Sequence, residues 1–383
     1  MRIDLVVGVR PNFMKVAPII HALDARIEAG AAVRYRLVHT GQHYAPRMSA
    51  EFFEQLGIPE PDVNLGVGSA RPAEQAAAIM TRYGRVLHGT GADLCLVVGD
   101  ATSTMASAIV ASTSGVPVAH VEAGLRSGDW TMPEEINRII TDSITTFFFT
   151  TSTFANENLR RSGVPADRIF YVGNTMVDSL LANVHRLERP GLWHDLGLEA
   201  SRYLVLTLHR PSNVDSRERL RRLLTTIGAC ADGVPIVFPA HPRIPADVLT
   251  AGGLPPNLHR VAPLPYLEFT FLVANARAVI TDSGGVTEEA TVLGVPCLTV
   301  RDSTERPETV TTGTSLLVGT DPARFRPFFA RMLAGRWKRG AVPEKWDGKS
   351  SERIVAALEH LFSTDRTVAS SSGRRARPTP GWP

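Results

Sequence analysis

The chain has 383 residues, a formal net charge of +3, 44% hydrophobic residues and 21% charged residues. This length suits two domains that each bury a core, and the composition is ordinary for a soluble globular protein. The charge is spread along the chain, so it gives no argument for a nucleic-acid partner. The three cysteines have no metal-ligand spacing, and we expect buried thiols without disulfides or a zinc site.

The sequence contains no apolar stretch of about 18 residues, the length that a membrane helix needs. It begins with a predicted strand, MRIDLVVGV, that lacks the long apolar region and cleavage site of a signal peptide. We therefore expect a cytoplasmic protein with no membrane partner.

From Ile3–Val7 onward, short apolar runs alternate with segments of helical period. This alternation predicts an α/β fold of two Rossmann-like domains, which face a cleft with the carboxyl ends of their parallel strands. The first domain is expected to comprise residues 1–172 and a final helix at 350–364, and the second residues 173–349. Residues 365–383 are rich in Ser, Arg and Pro and predict a disordered tail.

Two cations follow the first predicted strand. Arg10 lies in the turn GVRPN, and Lys15 lies in the helix that this turn opens. Cations at the mouth of a strand suit a phosphate group, but a simple surface turn explains the pattern equally well.

Three carboxylates, Asp100, Glu122 and Glu134, lie at or near the ends of predicted strands of the first domain. If they converge, they raise one another's pKa values, which is how general acids and bases are made near neutral pH. The alternatives are structural. Asp100 would only cap the helix that follows it, Glu122 would pair with Arg126, and Glu134 would only favour a helix N-terminus.

In the second half, the strand Ala278–Ile280 leads into Ser283-Gly284-Gly285 and then a helix, with Ser283 as its predicted N-cap. Such a turn points unpaired N–H groups and a helix dipole at one spot, which favours an anion. Helix N-termini are common, but Arg306 lies just beyond the next strand and supplies a cation. The pattern therefore favours phosphate binding.

An acidic pair, Glu288 and Glu289, lies one turn into this helix. A carboxylate beside a diphosphate would be repelled, so we expect any ligand contact to be with sugar hydroxyls, which indicates a nucleotide. His209 ends another strand of the second half. A histidine at a strand end is more often structural, and the alternative is an acid/base group that acts across the cleft.

Together these motifs resemble the non-hydrolysing UDP-N-acetylglucosamine (UDP-GlcNAc) 2-epimerases, which have a glycosyltransferase-B-like fold. The matching segments follow one another in the family's order and spacing. They are GVRPN at 8–12, HTGQHY at 39–44, GDATST at 99–104, HVEAGLRSGD at 120–129, PEEINR at 133–138, VGNTMVDSL at 172–180, HRPSNVD at 209–215, HPR at 241–243, TDSGGVTEEA at 281–290 and RDSTERPE at 301–308.

The resemblance implies inversion of C2 of the sugar in UDP-GlcNAc, giving UDP-ManNAc, without a metal or other cofactor. It implies anti elimination of UDP to a 2-acetamidoglucal, followed by re-addition of UDP with opposite stereochemistry at C2. The C2 proton is only weakly acidic, so departure of UDP must be assisted and the charge that builds up on the sugar stabilised.

The site residues are carried over by motif. The acid/base group would be Asp100, Glu122, Glu134 and His209. The diphosphate would be held by Arg10, Lys15, Ser283, Gly284, Gly285 and Arg306. Glu289 would bind the ribose hydroxyls and Phe269 the uracil, while an activating second UDP-GlcNAc would meet Gln42, Arg210 and His241. The resemblance also implies a homodimer.

Several positions depart from the family's pattern. Asn12 replaces an acidic residue, Ser212 a glutamate and Thr287 a glutamine, while Leu264 stands where a glutamine often lies near the uracil. The substitutions cluster near base and sugar, so an epimerase of a different NDP-sugar is one alternative. A hydrolysing enzyme of the same fold that releases free sugar and UDP is another, and a non-catalytic nucleotide-sugar binding protein is a third.

Overall fold

The structure is a computed structural model that describes residues 1–42, 53, 55–240, 244 and 254–371. The side chains of Arg10 and of residues 364–371 are outside this description.

The first half of the chain forms a seven-stranded parallel sheet with the order β3-β2-β1-β4-β5-β6-β7. Its strands are β1 (Arg2–Val7), β2 (Arg34–His39), β3 (Val63–Asn64), β4 (Leu94–Val98), β5 (Val118–Val121), β6 (Phe147–Thr150) and β7 (Ile169–Tyr171). The central strands are buried on both faces, as expected for a parallel sheet that helices cover.

Helices cover this sheet between the strands. They are α1 (Arg10–Glu28), α2 (Pro72–Thr90), α3 (Thr102–Thr113), α4 (Pro133–Ser143), α5 (Thr153–Arg161) and a 3₁₀ turn at Ala166–Arg168. A proline in the first turn starts α1, α2 and α4, because the fixed φ of proline suits a position whose N–H needs no helical partner.

The second half forms a six-stranded parallel sheet with the order β10-β9-β8-β11-β12-β13. Its strands are β8 (Leu204–Thr207), β9 (Ile236–Pro239), β10 (Leu258–Val261), β11 (Ala278–Thr281), β12 (Cys297–Thr299) and β13 (Ser315–Leu317). The predicted α/β class with two parallel sheets is therefore confirmed.

The remaining helices connect and cover the second sheet, and the final one closes the chain. They are α6 (Thr175–Asn183), α7 (Leu192–Asp195), α8 (Pro211–Val214), α9 (Arg217–Cys230), α10 (Tyr266–Ala274), α11 (Gly284–Val292), α12 (Pro307–Thr311), α13 (Arg326–Leu333) and α14 (Ser350–Ser371), with 3₁₀ turns at Val184–Arg186 and Pro322–Arg324.

Helix α14 returns to the first sheet. Its Ile354, Val355 and Leu358 belong to the same buried core as Ile3 and Leu5 of β1. The domain limits at 172/173 and 349/350 stay predictions. So does the disordered tail, since α14 is described to residue 371 and residues 372–383 lie outside the described part.

The chain passes from the first sheet to the second near α6 and returns near the start of α14, and these two segments are in contact. Asp178 of α6 accepts hydrogen bonds from the backbone N–H groups of Ser350 (3.1 Å) and Ser351 (2.7 Å). Trp346 is buried and donates its indole N–H to Thr151 O at 3.0 Å. These contacts anchor the start of α14 beside α6.

Among the helices that the structure describes, none has the length and apolar character that crossing a membrane requires.

Candidate active site

The carboxyl ends of the central strands carry most of the polar residues singled out from the sequence. Glu122 directly follows β5 and has a φ of +70°, a left-handed conformation that non-glycine residues seldom adopt. The Glu122 side chain is 1% exposed. Its Oε2 lies 2.7 Å from Lys15 Nζ of α1 and 3.0 Å from Arg306 Nη2. Arg306 belongs to the second half of the chain. The contact therefore joins the two α/β units, the first built on the seven-stranded sheet and the second on the six-stranded sheet.

The electrostatics of Glu122 follow from these neighbours. Burial alone would raise the pKa of its carboxyl, but the charges of Lys15 and Arg306 outweigh burial and lower it. Glu122 Oε1 has no hydrogen-bond partner among the described residues. Glu122 is therefore an ionised carboxylate with one oxygen held by cations.

Asp100 lies beside this cluster. The cap position of α3 is held by Ala101 rather than by Asp100, and no side chain caps it in the described structure. Asp100 Oδ2 instead lies 2.6 Å from Arg138 Nη2, and Asn137 Nδ2 donates to Asp100 O at 2.9 Å. The interpretation of Asp100 as a helix cap is wrong, because its carboxylate is bound by Arg138 of α4.

The pKa of Asp100 is lowered for the same kind of reason as that of Glu122. Burial opposes ionisation, but the charges of Arg138 and then Lys15 outweigh it. The Asp100 side chain remains 33% exposed, in contrast to Glu122. Asp100 therefore offers a partly open carboxylate next to a closed one.

Glu134 and Glu135 of α4 have different surroundings. Glu134 is exposed in the first turn of α4, the helix whose Arg138 holds Asp100. Glu135 is buried and accepts hydrogen bonds from the backbone N–H groups of Ser127 (2.9 Å) and Gly128 (3.0 Å). Glu135 thus ties the preceding loop to the helix, while Glu134 is accessible.

Asp142, which was not predicted from the sequence as a site residue, organises the loop around Glu122. It lies 2.8 Å from His120 Nδ1 and 2.6 Å from Arg126 Nη1, and it accepts from Gly124 N at 3.1 Å. The alternative pairing of Glu122 with Arg126 is therefore wrong. Glu135, Arg138 and Asp142 share one face of α4, and this face is buried. Charged residues at helical spacing were the sequence pattern that could have identified Asp142.

His209 and Asp282 form a second pair at the ends of β8 and β11. His209 Nδ1 lies 2.8 Å from Asp282 Oδ1. The His209 side chain is 42% exposed, whereas that of Asp282 is fully buried. His209 was predicted from the sequence as a site residue, whereas Asp282 was not. Its position in the sequence could have identified it, since Asp282 lies at a strand end and directly precedes the Ser-Gly-Gly turn.

The predicted phosphate cradle is the start of α11. Ser283 occupies the cap position, but its side chain accepts no capping hydrogen bond in the described structure, so the prediction of a capping side chain is wrong. Gly284 has a structural reason to be glycine, since a Cβ there would lie 2.8 Å from Glu305 Oε1. Gly285 faces Met176 of α6, whose Cε would lie 3.5 Å from an added Cβ. Because Met176 belongs to the buried core of the first sheet, the cradle lies against both units.

The acidic pair of α11 is buried. Glu288 contacts Arg306 Nε, and its pKa is raised to about 7 because burial outweighs the charge of Arg306. Burial also raises the pKa of Glu289 to about 7, with Tyr266 opposing and Glu288 adding to the shift. Arg306 thus lies between carboxylates of both units, Glu122 and Glu288, where its own pKa is raised.

Further arginines surround Glu305. Its carboxylate pairs with Arg301, and burial, which would raise its pKa, is outweighed by the charges of Arg301, Arg138 and Arg306. Arg210 Nη2 lies 3.6 Å from Glu305 Oε1. This part of the site is rich in guanidinium groups, which suits an anionic ligand.

Arg210 also reaches across to the first unit, where its Nη1 lies 3.0 Å from Met132 Sδ. Of the other residues of the implied activator site, Gln42 is buried and its Oε1 accepts from Thr40 Oγ1 at 3.2 Å. His241 lies outside the described residues. The structure therefore describes two members of this implied site.

The residues predicted near the uracil lie against the second sheet's core, and Arg10 lies at the start of α1. Phe269 on α10 is partly buried against the core of the second sheet, as is Leu264. Arg10 is the first residue of α1, and its side chain is outside the description.

The departure at Asn12 has a local explanation. Asn12 Oδ1 accepts from Gly8 N (3.2 Å) and Val9 N (3.1 Å), while its Nδ2 donates to Val98 O at 3.1 Å. A carboxylate could not donate to Val98 O, so the amide joins the ends of β1 and β4 in a way that an ionised acidic residue would not.

Comparison with known proteins decides the family. A model of the family described as UDP-N-acetylglucosamine 2-epimerase matches residues 25–359. The chain belongs to this family. A UDP-N-acetylglucosamine 2-epimerase of Methanocaldococcus jannaschii is 38% identical over 374 residues, which cover 94% of this chain and 99% of that protein.

Two further comparisons define the neighbourhood within the UDP-GlcNAc 2-epimerase family. The crystal structure of the M. jannaschii enzyme in complex with UDP-GlcNAc and UDP has a TM-score of 0.83 and 39% identity, and the match covers 94% of this chain and all of that one. A UDP-2,3-diacetamido-2,3-dideoxy-D-glucuronate 2-epimerase of Pseudomonas aeruginosa is 38% identical over 323 residues, covering 83% of this chain and 88% of that protein. The implied glycosyltransferase-B-like arrangement of two α/β units is thereby confirmed.

Proposed function

We propose that this protein is a UDP-sugar 2-epimerase that interconverts UDP-GlcNAc and UDP-ManNAc without net hydrolysis. The observation that carries the proposal is the contact between the units. Glu122 of the first unit shares its Oε2 between Lys15 (2.7 Å) and Arg306 of the second unit (3.0 Å). A carboxylate for proton transfer thus adjoins cations for a leaving diphosphate. Membership of the UDP-GlcNAc 2-epimerase family supports the same reaction.

The proposed reaction has two balanced steps. In the first, a base removes the C2 proton, the C1=C2 double bond forms, and the C1–O bond breaks with its electron pair leaving on UDP. In the second, the opposite face of C2 receives a proton and an oxygen of UDP bonds to C1 again. The product is the C2-inverted sugar nucleotide. The base is left protonated and the group that supplied the C2 proton is left deprotonated, and exchange of protons with water restores the starting state of both groups.

Asp100, Glu122, Glu134 and His209 are the proposed proton-transfer groups. Asp100 is partly exposed, and Glu134 is exposed on the same helix as Arg138, which holds Asp100 at 2.6 Å. His209 approaches from the second sheet, where Asp282 holds it. Carboxylates of the first unit and the imidazole of the second would therefore act on the sugar from different sides.

The leaving UDP is proposed to lie at the start of α11. The backbone N–H groups of Gly284 and Gly285, together with the helix dipole, stabilise an anion there, and Arg306 and Lys15 supply charge. The Ser283 N–H donates to Thr281 Oγ1 at 3.0 Å, so Ser283 is proposed to contribute through its hydroxyl. The pKa of Arg306 is raised, since burial is outweighed by Glu288 and Glu122, so this cation stays charged. Arg10 is proposed for the same group, Glu289 for the ribose and Phe269 for the uracil.

The test is incubation with UDP-GlcNAc in D₂O, with products followed by NMR. We expect UDP-ManNAc with deuterium at C2, and no free sugar beyond a trace of glucal. UDP-GlcNAc labelled with ¹⁸O in the C1–O–P bridge should also scramble label into the non-bridging β-phosphate oxygens, because the C1–O bond breaks. Free ManNAc plus UDP as the main products would instead show a hydrolysing enzyme, and unchanged substrate would refute both.

A second substrate has specific support. The P. aeruginosa relative is named for a 2,3-diacetamido glucuronate, a sugar with an additional carboxylate. In this chain Arg210 is partly exposed and reaches Glu305 only at 3.6 Å, so a uronate carboxylate could pair with it. A parallel assay with that sugar nucleotide decides between the two. The substrate with the higher kcat/KM is the better candidate.

We propose that the protein is cytoplasmic and forms a homodimer. A second UDP-GlcNAc is proposed to activate the enzyme through Gln42, Arg210 and His241. Sedimentation equilibrium tests the dimer. The activator is tested by supplying UDP-ManNAc alone, when a lag that a trace of UDP-GlcNAc abolishes is expected; linear progress from the start would remove the activator from the proposal.

A further inference from the structure

His209 and Asp282 are brought together by strand register. Strands β8 and β11 are parallel neighbours in which Thr207 pairs with Thr281, so the residues that follow each strand emerge side by side. Asp282 comes one residue after Thr281 and His209 two residues after Thr207. This places His209 Nδ1 2.8 Å from Asp282 Oδ1.

Asp282 is surrounded by hydrogen-bond donors. Its carboxylate accepts from His209 N (3.1 Å to Oδ1), from Arg210 N (3.0 Å) and from Asn213 Nδ2 (2.9 Å). Burial would raise the pKa of this carboxyl, but the hydrogen bonds and charge of His209, with Asn213 and Arg210, lower it. Asp282 is therefore an ionised group that only accepts hydrogen bonds.

The tautomer of His209 follows from that contact. A neutral imidazole has one nitrogen with a proton and one with a lone pair. Because Asp282 only accepts, the proton of the neutral ring must be on Nδ1, and the basic lone pair is then on Nε2. The backbone hydrogen bond from His209 N to the same carboxylate also holds the residue in place.

We propose that Asp282 is a positioning residue that holds His209 in the Nδ1–H tautomer, so that Nε2 is the atom that exchanges a proton with the sugar nucleotide. When Nε2 takes up a proton, the imidazolium charge is offset by the ionised Asp282 at 2.8 Å. When Nε2 returns that proton, the neutral Nδ1–H ring is restored. This inference rests on the proposed function for its kinetic part, but its tautomer part does not.

The variant Asp282→Asn tests the inference because it keeps the shape and one acceptor oxygen. The amide can donate to Nδ1 and so stabilise the opposite tautomer. The protein has 11 histidines, so ¹⁵N-histidine labelling with a His209→Gln reference spectrum assigns the ring. We expect Nδ1–H in the wild type and Nε2–H in the variant. His120, which faces Asp142 Oδ1 and Gly99 O at 2.8 Å each, should be unchanged and reports that the fold is intact.

The kinetic readout is a double-mutant comparison. Asp282→Asn should lower kcat by about 10²- to 10⁴-fold with little change in KM, since tautomer control acts on proton transfer. In a His209→Ala background the same substitution should cost almost nothing further, because Asp282 acts through the imidazole. An equal loss in both backgrounds would show a structural role and overturn the proposal.

The two readouts separate failure of this inference from failure of the proposed function. If no 2-acetamido sugar nucleotide is turned over, the tautomer spectra still report on Asp282. An Nε2–H ring in the wild type, or the same tautomer in both proteins, would overturn the inference whatever the activity.

Discussion

Arg306 Nη2 lies 3.0 Å from Glu122 Oε2, and this ion pair joins the two α/β units at the centre of the candidate site. Both side chains are nearly inaccessible, at 6% and 1% exposure. Arg306 also contacts Glu288 of its own unit. A single guanidinium therefore links the helix that is proposed to hold the diphosphate to the carboxylates that are proposed to act on the sugar.

Replacing Arg306 should weaken nucleotide binding. Arg306→Ala removes the cation between Glu122 and Glu288, and we expect the Kd for UDP by calorimetry to rise at least tenfold, about 1.4 kcal/mol. The Kd for UDP of Arg306→Lys should lie between those of the wild type and Arg306→Ala, because an ammonium keeps the charge but cannot make the same forked contacts. The control is Arg161→Ala, which removes a guanidinium from an exposed pair. An unchanged Kd in Arg306→Ala would remove this residue from the site.

Asp100→Asn should separate chemistry from binding. The amide keeps the shape of the side chain but cannot exchange a proton, so kcat should fall by about 10²-fold or more while the Kd for UDP is retained. Asp167→Asn changes an exposed carboxylate and should have wild-type kinetics. Near-normal kcat in Asp100→Asn would rule out an acid/base role for Asp100.

Glu122→Gln is expected to lower turnover by a similar factor, but with a cost in stability. The amide no longer neutralises Lys15 and Arg306, and breaking a buried ion pair typically costs about 3–5 kcal/mol. Urea unfolding followed by circular dichroism measures this cost, and the assay with UDP-GlcNAc measures turnover. Wild-type turnover in a folded Glu122→Gln protein would contradict the proposed role.

Stability should depend on pH through Glu289. Its folded pKa is raised by burial from 4.5 to about 7, so the folded state keeps a proton that the unfolded state loses first. The associated stability is fully present below pH 4.5 and is lost as pH rises through about 7, by up to about 3 kcal/mol. Glu289→Gln lacks this loss. Its unfolding free energy should therefore rise relative to the wild type between pH 5 and pH 8.

The matched control for that measurement is Glu268→Gln, which alters a partly exposed carboxyl on α10. The difference from the wild type should be the same at both pH values in the control. A Glu289→Gln difference that is also independent of pH would show that the Glu289 carboxyl is ionised throughout.

Gly99→Ala should disturb the site by crowding Lys15. Gly99 has a φ of +69°, and an added Cβ would lie 2.9 Å from Lys15 Nζ and 3.7 Å from Glu122 Oε2. Gly30→Ala introduces the same kind of backbone strain at a φ of +87°, with no atom within 4 Å of the new Cβ among the described residues. Both variants should lose about 1–2 kcal/mol of stability, but only Gly99→Ala should lose kcat. Equal kcat in the two variants would show that Lys15 can move without consequence.

Much of the fold was accessible from the sequence, because apolar runs and helical periods are local patterns that translate directly into strands and helices. The alternation of these elements predicted the α/β class, and strand-end motifs identified Asp100, Glu122, His209 and the Ser-Gly-Gly turn. Residues at the carboxyl ends of parallel strands share one edge of a sheet, so their proximity could also be anticipated.

The partners of these residues could not be read in the same way. Glu122 pairs with Arg306, which is 184 positions away in the sequence. Asp100 follows β4 but pairs with Arg138 of α4, the helix that comes after the next strand. Asp282 reaches His209 only because β8 and β11, far apart in sequence, are neighbours in the sheet. Sequence alone determined which chemical groups stand at strand ends. The tertiary structure decided which charges neutralise each other, because ion pairing and burial depend on distances that only packing sets.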